Sequence, residues 1–118
     1  MPDQGNVNGR SPGLTPVLFK DMIAKNPKDN NLKMQYANAQ ANAGKIKEAM
    51  ATLEELAQAE PTNPYYKEQV AELHIRANQL DNAIKAYEAL LAKTTEEWRK
   101  TNYNSRITQL KAQKQQAE

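Results

Sequence analysis

The sequence predicts an all-α protein, a short solenoid of antiparallel helix hairpins with about six helices. Three observations lead to this fold class. Of the 118 residues 39% are hydrophobic, and 17 of those 46 are Ala, which suits thin helices in close contact. Val and Ile together number only eight, too few for a β-sandwich or a barrel. The chain also matches itself at a regular lag, which aligns residues 30–63 with residues 64–97.

The 34-residue period brings apolar positions and helix breakers into register. Phe19 aligns with Leu53 and then with Tyr87, and Pro27 aligns with Pro61. Seven positions are identical between residues 30–63 and 64–97: Lys33/Lys67, Gln35/Gln69, Ala37/Ala71, Ala43/Ala77, Ala49/Ala83, Glu54/Glu88 and Leu56/Leu90. We therefore expect two repeats, 30–63 and 64–97.

The N-terminal segment divides into two parts. Residues 1–13 are rich in Gly, Pro, Asn and Ser, and we expect a disordered leader or cloning remnant because little apolar surface offsets the ordering entropy. A domain of residues 14–118 follows. Thr15 and Pro16 are a cap and a first-turn residue, so they mark the start of a helix. Residues 14–27 align with the second helix of a repeat, which predicts a half repeat or an N-terminal capping helix.

Each repeat contains two helical stripes separated by a breaker. Caps are expected at Asn30 and at the Asn63-Pro64 pair, and Gly44 and Asn78 supply the turns, since both residue types tolerate left-handed backbone. The first helices carry the stripes Leu32, Tyr36, Ala39, Ala43 and Tyr66, Val70, Leu73, Ala77. The second helices carry the stripes Ile46, Ala49/Met50, Leu53, Leu56/Ala57 and Leu80, Ala83/Ile84, Tyr87, Leu90/Leu91.

A last helix is predicted over residues 95–116, with Thr94 and Glu97 spaced as a capping box. The pattern favours a break at Thr94. Because Trp98 continues the stripe of Tyr87 and Leu91, one unbroken helix from Leu80 remains an alternative prediction. Trp98 either covers the Tyr87/Leu91 groove or forms an exposed apolar strip for a second copy of the chain or for a missing neighbour. The residues of such an oligomer contact would be Trp98, Tyr103, Ile107 and Leu110.

The segments NNLKMQYANAQANAGKIKEAMATLEELAQAEP and PYYKEQVAELHIRANQLDNAIKAYEALLAK resemble the tetratricopeptide repeat family. The shared features are the period, the Gly/Asn turn, the small residue at Ala49 and Ala83, and the Pro that ends the second helix. The resemblance covers residues 14–93 and implies a right-handed solenoid that binds proteins. The C-terminal phrase WRKTNYNSRITQL is similar to the terminal helix of bacterial envelope repeat proteins that assist cytochrome c maturation, which implies an assembly role.

Composition argues against most catalytic chemistry. The chain lacks Cys, and its only His is His74. No carboxylate lies on the same helix face as His74 to orient it as a general base. The four glycines form no phosphate loop, and no Asp/Glu/His spacing predicts a metal shell. We expect no enzyme activity and no cofactor.

The formal charge of +2 does not indicate a nucleic-acid partner. No apolar run reaches the about 18 residues of a membrane span, and both periplasm and cytoplasm stay open because no signal or anchor is seen.

The resemblance favours a binding function, because the first helix of each repeat lines the inner groove of such solenoids. The predicted peptide-binding residues are Asn31, Met34, Gln35, Asn38, Asn42, Tyr65, Glu68, Gln69, Glu72 and Arg76. Side-chain amides can both donate to and accept from an extended peptide backbone. Met34 and Tyr65 would take apolar side chains. The hypothesis is a protein-interaction module with a protein or peptide partner, and the alternative is a self-associating scaffold that stacks through its terminal helices.

Overall fold

The computed structural model describes residues 16–117, and within that range it contains six α-helices and no strand. Their bounds are α1 Pro16–Lys25, α2 Asn30–Asn42, α3 Ile46–Ala59, α4 Tyr65–Arg76, α5 Leu80–Lys93 and α6 Glu97–Ala117. The chain divides into two compact units, unit 1 up to Thr52 and unit 2 from Leu53. The all-α prediction is confirmed. The expected leader, residues 1–13, lies outside the described residues.

Unit 1 is organised around α1 and α2. Helix α1 begins at Pro16, the residue expected in its first turn, and Phe19 is buried. The Asp29 carboxylate caps α2 by accepting a hydrogen bond from the Leu32 N–H at 3.0 Å. The expected cap, Asn30, is instead the first helical residue. That prediction was wrong by one position because Asp and Asn are equally good caps and stand side by side.

One polar pair lies in the interior of unit 1. The Thr52 hydroxyl donates to Gln40 Oε1 at 2.7 Å, and both residues are buried. The hydroxyl oxygen also lies 3.1 Å from the Glu48 carbonyl oxygen, one helical turn earlier in α3. The Thr52 hydroxyl and the Gln40 amide oxygen are therefore partners of each other, so neither is an unpaired buried group.

The two predicted turns have left-handed backbone. Gly44 has φ of 84° and Asn78 has φ of 60°. After α2, the Lys45 N–H donates to the Gln40 carbonyl at 2.9 Å; after α4, the Gln79 N–H donates to the His74 carbonyl at 2.8 Å. These bonds stand one repeat period apart, close the same Schellman-type ending and satisfy carbonyls that a helix end leaves open.

The turn at Asn78 gives a first prediction. Asn78→Val should lower the free energy of unfolding by about 1–2 kcal/mol, because a β-branched side chain is strained at positive φ. Asn78→Gly, which relieves the same restriction, should be neutral or slightly stabilising. Urea unfolding followed by circular dichroism measures both variants. Equal stability of the valine and glycine variants would contradict the assignment.

Unit 2 has its own apolar core, formed by α4, α5 and α6. The stripe expected on α5 is confirmed: Leu80, Ala83, Ile84, Tyr87 and Leu90 are all buried. The stripe on α4 is confirmed at Tyr66, Val70 and Leu73, and Ala71 joins it. The core cluster consists of Ala71, Leu80, Ala83, Ile84, Tyr87, Leu90, Tyr103, Ile107 and Leu110.

Helices α5 and α6 are separate, which decides the question of continuity. Helix α5 ends at Lys93 and α6 begins at Glu97. The Thr94 hydroxyl oxygen accepts from the Glu96 N–H at 3.3 Å, two residues on, so the expected capping box with Glu97 is not formed. The Glu96 carbonyl accepts the first helical bonds of α6, from the N–H groups of Arg99 and Lys100.

Candidate functional site

The predicted binding residues of unit 1 all lie on α2, and four of the five point to solvent. Asn31, Gln35, Asn38 and Asn42 are exposed, so α2 presents a row of amides. Met34 is only 8% exposed and belongs to the buried side of the helix, which corrects its expected role as a ligand for apolar side chains. The reason is that Met34, Ala37 and Ala41 follow i, i+3, i+7 and form a stripe of their own.

The predicted residues of unit 2 lie on α4, and two of them are engaged by α6. The Glu72 carboxylate binds the Arg106 guanidinium with oxygen–nitrogen distances of 2.6 and 2.8 Å to Nη2, and it accepts the Tyr87 hydroxyl. The Glu68 carboxylate binds Arg99 Nη1 at 3.0 Å and accepts the Tyr103 hydroxyl. Both carboxylates are therefore paired with cations of this unit, and their part in peptide binding stays a prediction.

Burial and the two carboxylates raise the pKa of the tyrosines that contact them. Burial, and next the hydrogen bond to Glu72, raises the pKa of Tyr87 above its usual value. Burial, and next the bond to Glu68, raises the pKa of Tyr103 in the same way. The nearby arginines oppose both shifts without cancelling them. Each phenol accordingly stays a neutral donor to its carboxylate.

A groove of about 350 Å³ lies on the α4–α6 side of unit 2. Its lining residues are Glu68, Gln69, Glu72, Tyr87, Trp98, Asn102, Tyr103, Ser105, Arg106 and Gln109. We call it the amide groove, because Gln69, Asn102 and Gln109 supply side-chain amides around the paired charges. Such groups can bond to peptide N–H and C=O together, and the paired carboxylates leave little net charge. The groove is suited to a polypeptide segment.

Trp98 lies at this groove and is 57% exposed. Its indole N–H donates to Glu96 Oε2 at 3.3 Å, and the Arg99 guanidinium carbon lies 4.5 Å from the ring centroid. The ring is thus held from one side while much of it faces solvent. The interpretation that Trp98 covers the Tyr87/Leu91 groove is wrong, because a covering ring would be buried.

The two remaining predicted residues of α4 stand near its ends. Tyr65 is 45% exposed, and its ring meets that of Tyr66 edge to face with centroids 6.0 Å apart. Arg76 is exposed in the last turn of α4. Neither residue lines the amide groove.

The expected oligomer contact is corrected for three of its four residues. Tyr103, Ile107 and Leu110 are buried in the core of unit 2, where the Tyr103 ring lies 5.8 Å from that of Tyr87. They pack against α5 because they share one face of α6 at i, i+4 and i+7. Of the four, Trp98 alone is exposed.

Within residues 16–117, no group of three or more His, Asp and Glu side chains could hold a metal ion. His74 is half-buried, and its Nδ1 lies 2.9 Å from Gln79 Oε1, so the ring is oriented by an amide and not by a carboxylate. None of the described helices is long and apolar enough to cross a membrane.

Comparison with known proteins agrees with the repeat pattern. Residues 17–73 match the tetratricopeptide repeat family. This match assigns residues 17–73 to the tetratricopeptide repeat family. This assignment fits the left-handed turns at Gly44 and Asn78, which stand one repeat period apart, and the paired stripes of the repeats. No curated protein sequence matches the chain significantly.

Among solved structures, the chain is similar to PcrH in its complex with the chaperone-binding region of PopD. The TM-score is 0.65 at 17% sequence identity, and the alignment covers 84% of this chain and 77% of PcrH. At this identity the likeness establishes the fold. The tetratricopeptide-type fold of the chain therefore has support from both the family match and a solved structure.

Sequence reasoning missed the contribution of α6 to the site. Asn102 and Arg106 line the groove, and Arg99 binds Glu68 beside it, yet the predicted binding residues all came from the first helices of the two repeats. A signal was present: Tyr103 aligns with Tyr66 once a short insertion is allowed, so α6 repeats the register of α4. That register indicates which face of α6 is buried, whereas the pairing of Arg99 with Glu68 and of Arg106 with Glu72 is seen only in the structure.

Proposed function

We propose that the protein is a non-enzymatic interaction module that binds a segment of a partner protein in the amide groove of unit 2. The tetratricopeptide repeat assignment supports a protein partner, and the similar PcrH structure holds the chaperone-binding region of PopD. The observation that carries the proposal is the amide groove itself, whose carboxylates are neutralised while Gln69 and Asn102 remain for bonding.

The expected recognition is of backbone more than of charge. Amide side chains bond a polypeptide main chain whatever its sequence, and the exposed Trp98 face gives an apolar side chain a flat surface. The exposed amides Asn31, Gln35, Asn38 and Asn42 on α2 form a similar patch within unit 1. They are proposed as a further contact for the same kind of partner.

Self-association is the less favoured function. A stable interface buries about 800 Å² on each partner, and three of the four residues expected to form it are used inside unit 2. The assembly role implied by the C-terminal resemblance stays a prediction.

The amide groove gives a second prediction. Trp98 is the only tryptophan of the chain, so its fluorescence reports directly on the groove. Twelve-residue peptides selected from a random display library on the immobilised protein should bind with a blue shift of the Trp98 emission. Gln69→Ala/Asn102→Ala should weaken this binding at least tenfold, since each lost hydrogen bond costs about 1 kcal/mol.

The matched control removes the same two residue types from exposed positions outside the groove, in Gln58→Ala/Asn104→Ala. It should bind the selected peptides within twofold of the unmodified chain. Equal affinity of both double variants, or selected peptides that leave Trp98 emission unchanged, would reject the amide groove as the binding site.

A further inference from the structure

Unit 2 has a second groove on nearly the opposite face of α4. Its lining residues are Glu54, Lys67, Val70, His74, Asn82, Lys85, Ala86, Ala89, Leu90 and Lys93, and its volume is about 510 Å³. Lys67, Val70 and His74 lie roughly 150° around α4 from Glu68 and Glu72, at about 100° per residue. We call it the lysine groove. Its lining includes none of the residues of the amide groove.

The lysine groove combines an apolar floor with a basic rim. Val70 and Leu90 are buried beneath it, and Ala86 and Ala89 add only methyl groups, so the floor offers no side-chain hydrogen bond. Three lysines and one carboxylate line it. The carboxylate, Glu54, is engaged by Lys67 with oxygen–nitrogen distances of 3.1 and 3.4 Å.

The other two lysines have no such partner. Among the described residues, neither Lys85 nor Lys93 has a carboxylate within salt-bridge distance, whereas the lysines of α6 at 100, 111 and 114 each have one. Asp81, whose charge Lys85 also feels, is held by Lys114 at 2.7 Å. Two positive charges without a salt-bridge partner among the described residues thus flank one apolar cleft.

From this charge pattern we propose that the lysine groove is a second docking surface, which takes an acidic amphipathic segment of a partner protein. The occupant would place one or two leucine-sized side chains on the floor and Asp or Glu side chains against Lys85 and Lys93. Burial of the apolar side chain supplies affinity, and the lysines fix orientation and speed association.

The floor distinguishes this occupant from a phosphate-bearing one. Nucleic-acid binding needs donors that track a charged backbone, often with aromatic rings for the bases. The lysines are donors, but the floor of alanine, valine and leucine side chains gives bases no stacking surface, and His74 is the only ring in the lining. Because lysine is a compact point charge on a flexible stem, Lys85 and Lys93 can reach carboxylates at either edge of a seated side chain.

The probe is a fluorophore-labelled 15-residue peptide with leucine at every third or fourth position and glutamate between. We expect saturable binding by fluorescence anisotropy at about 50 mM salt, weakened by added salt because the charges are exposed. Lys85→Gln/Lys93→Gln should weaken binding at least fivefold. Lys20→Gln/Lys28→Gln, the same charge change at exposed positions in unit 1, should leave it within twofold.

The apolar requirement has its own test. Ala89 is exposed, and Ala89→Gln puts a polar side chain over the floor without changing charge. It should weaken binding severalfold, as should a peptide with asparagine in place of leucine. Circular dichroism confirms the helicity of every variant.

Three results would overturn the proposal: affinity unaffected by Lys85→Gln/Lys93→Gln, affinity unaffected by both apolar changes, or equal binding of a single-stranded oligonucleotide with the same dependence on these lysines. The Gln69→Ala/Asn102→Ala variant should bind this acidic probe normally. Failure of the lysine groove is therefore separate from failure of the amide groove.

Discussion

Leu110→Ala should lower the free energy of unfolding by about 3 kcal/mol, within the range of about 2–5 kcal/mol for changes that remove buried methyl groups and leave a cavity. Leu110 is 1% exposed and belongs to the core cluster of unit 2. Leu110→Met, which keeps most of the volume, should cost less than about 1.5 kcal/mol.

Guanidinium chloride unfolding followed by circular dichroism measures the effect as a lower midpoint with an unchanged slope. Gln113→Ala, on the exposed surface of the same helix, is the control and should change stability by less than about 0.5 kcal/mol. If Leu110→Ala matched this control, α6 would not be anchored to the core as described.

Stability should also fall steeply above pH 10. Burial and carboxylate neighbours raise the folded-state pKa of Tyr66, Tyr87 and Tyr103 above the unfolded value of about 10. Above that pH the unfolded chain releases phenol protons that the folded chain keeps. The free energy of unfolding therefore decreases as pH rises above 10, and the contribution of these phenols is fully present below pH 10. Each tyrosine contributes up to about 1.4 kcal/mol per pH unit within its window.

Urea unfolding at pH 8, 9, 10 and 11 measures this dependence. We expect a nearly flat profile to pH 9 and a loss of about 2 kcal/mol or more by pH 11, the sum over the three phenols. Tyr87→Phe/Tyr103→Phe should remove most of the loss, because phenylalanine has no proton to release. A profile of the unmodified chain that stays flat to pH 11 would show that these phenols do not differ between the folded and unfolded states.

Much of the fold could be predicted because its signals are local. The residue types Gly44 and Asn78 predict their turns, because both tolerate positive φ. Leu53 and Tyr87 occupy equivalent positions of the repeat. Helices α3 and α5 concentrate apolar residues on one side, so their buried faces are legible. The buried face of α2 is harder to predict, because Ala, Asn and Gln alternate around the helix. Met34 is the large apolar residue that marks the buried face.

The site was less predictable because it depends on contacts between residues far apart in the sequence. Whether Glu72 is a free ligand or an internal partner is decided by Arg106 on another helix, and Glu68 depends in the same way on Arg99. Helical periodicity shows which face a carboxylate occupies but not which cation meets it. The lysine groove was missed for the same reason, since Lys67 belongs to α4 whereas Lys85 and Lys93 belong to α5.

The Gln40–Thr52 pair makes the two hairpins non-interchangeable. At the 34-residue lag the equivalent positions are His74 and Ala86, which form no such bond. If α2 packed against α5 in place of α3 during folding, the Gln40 amide would face the methyl group of Ala86. The loss of its hydrogen-bond partner would cost about 1–3 kcal/mol. Similar repeats favour non-native helix pairing during folding, and the Thr52 hydroxyl favours the native pairing of α2 with α3.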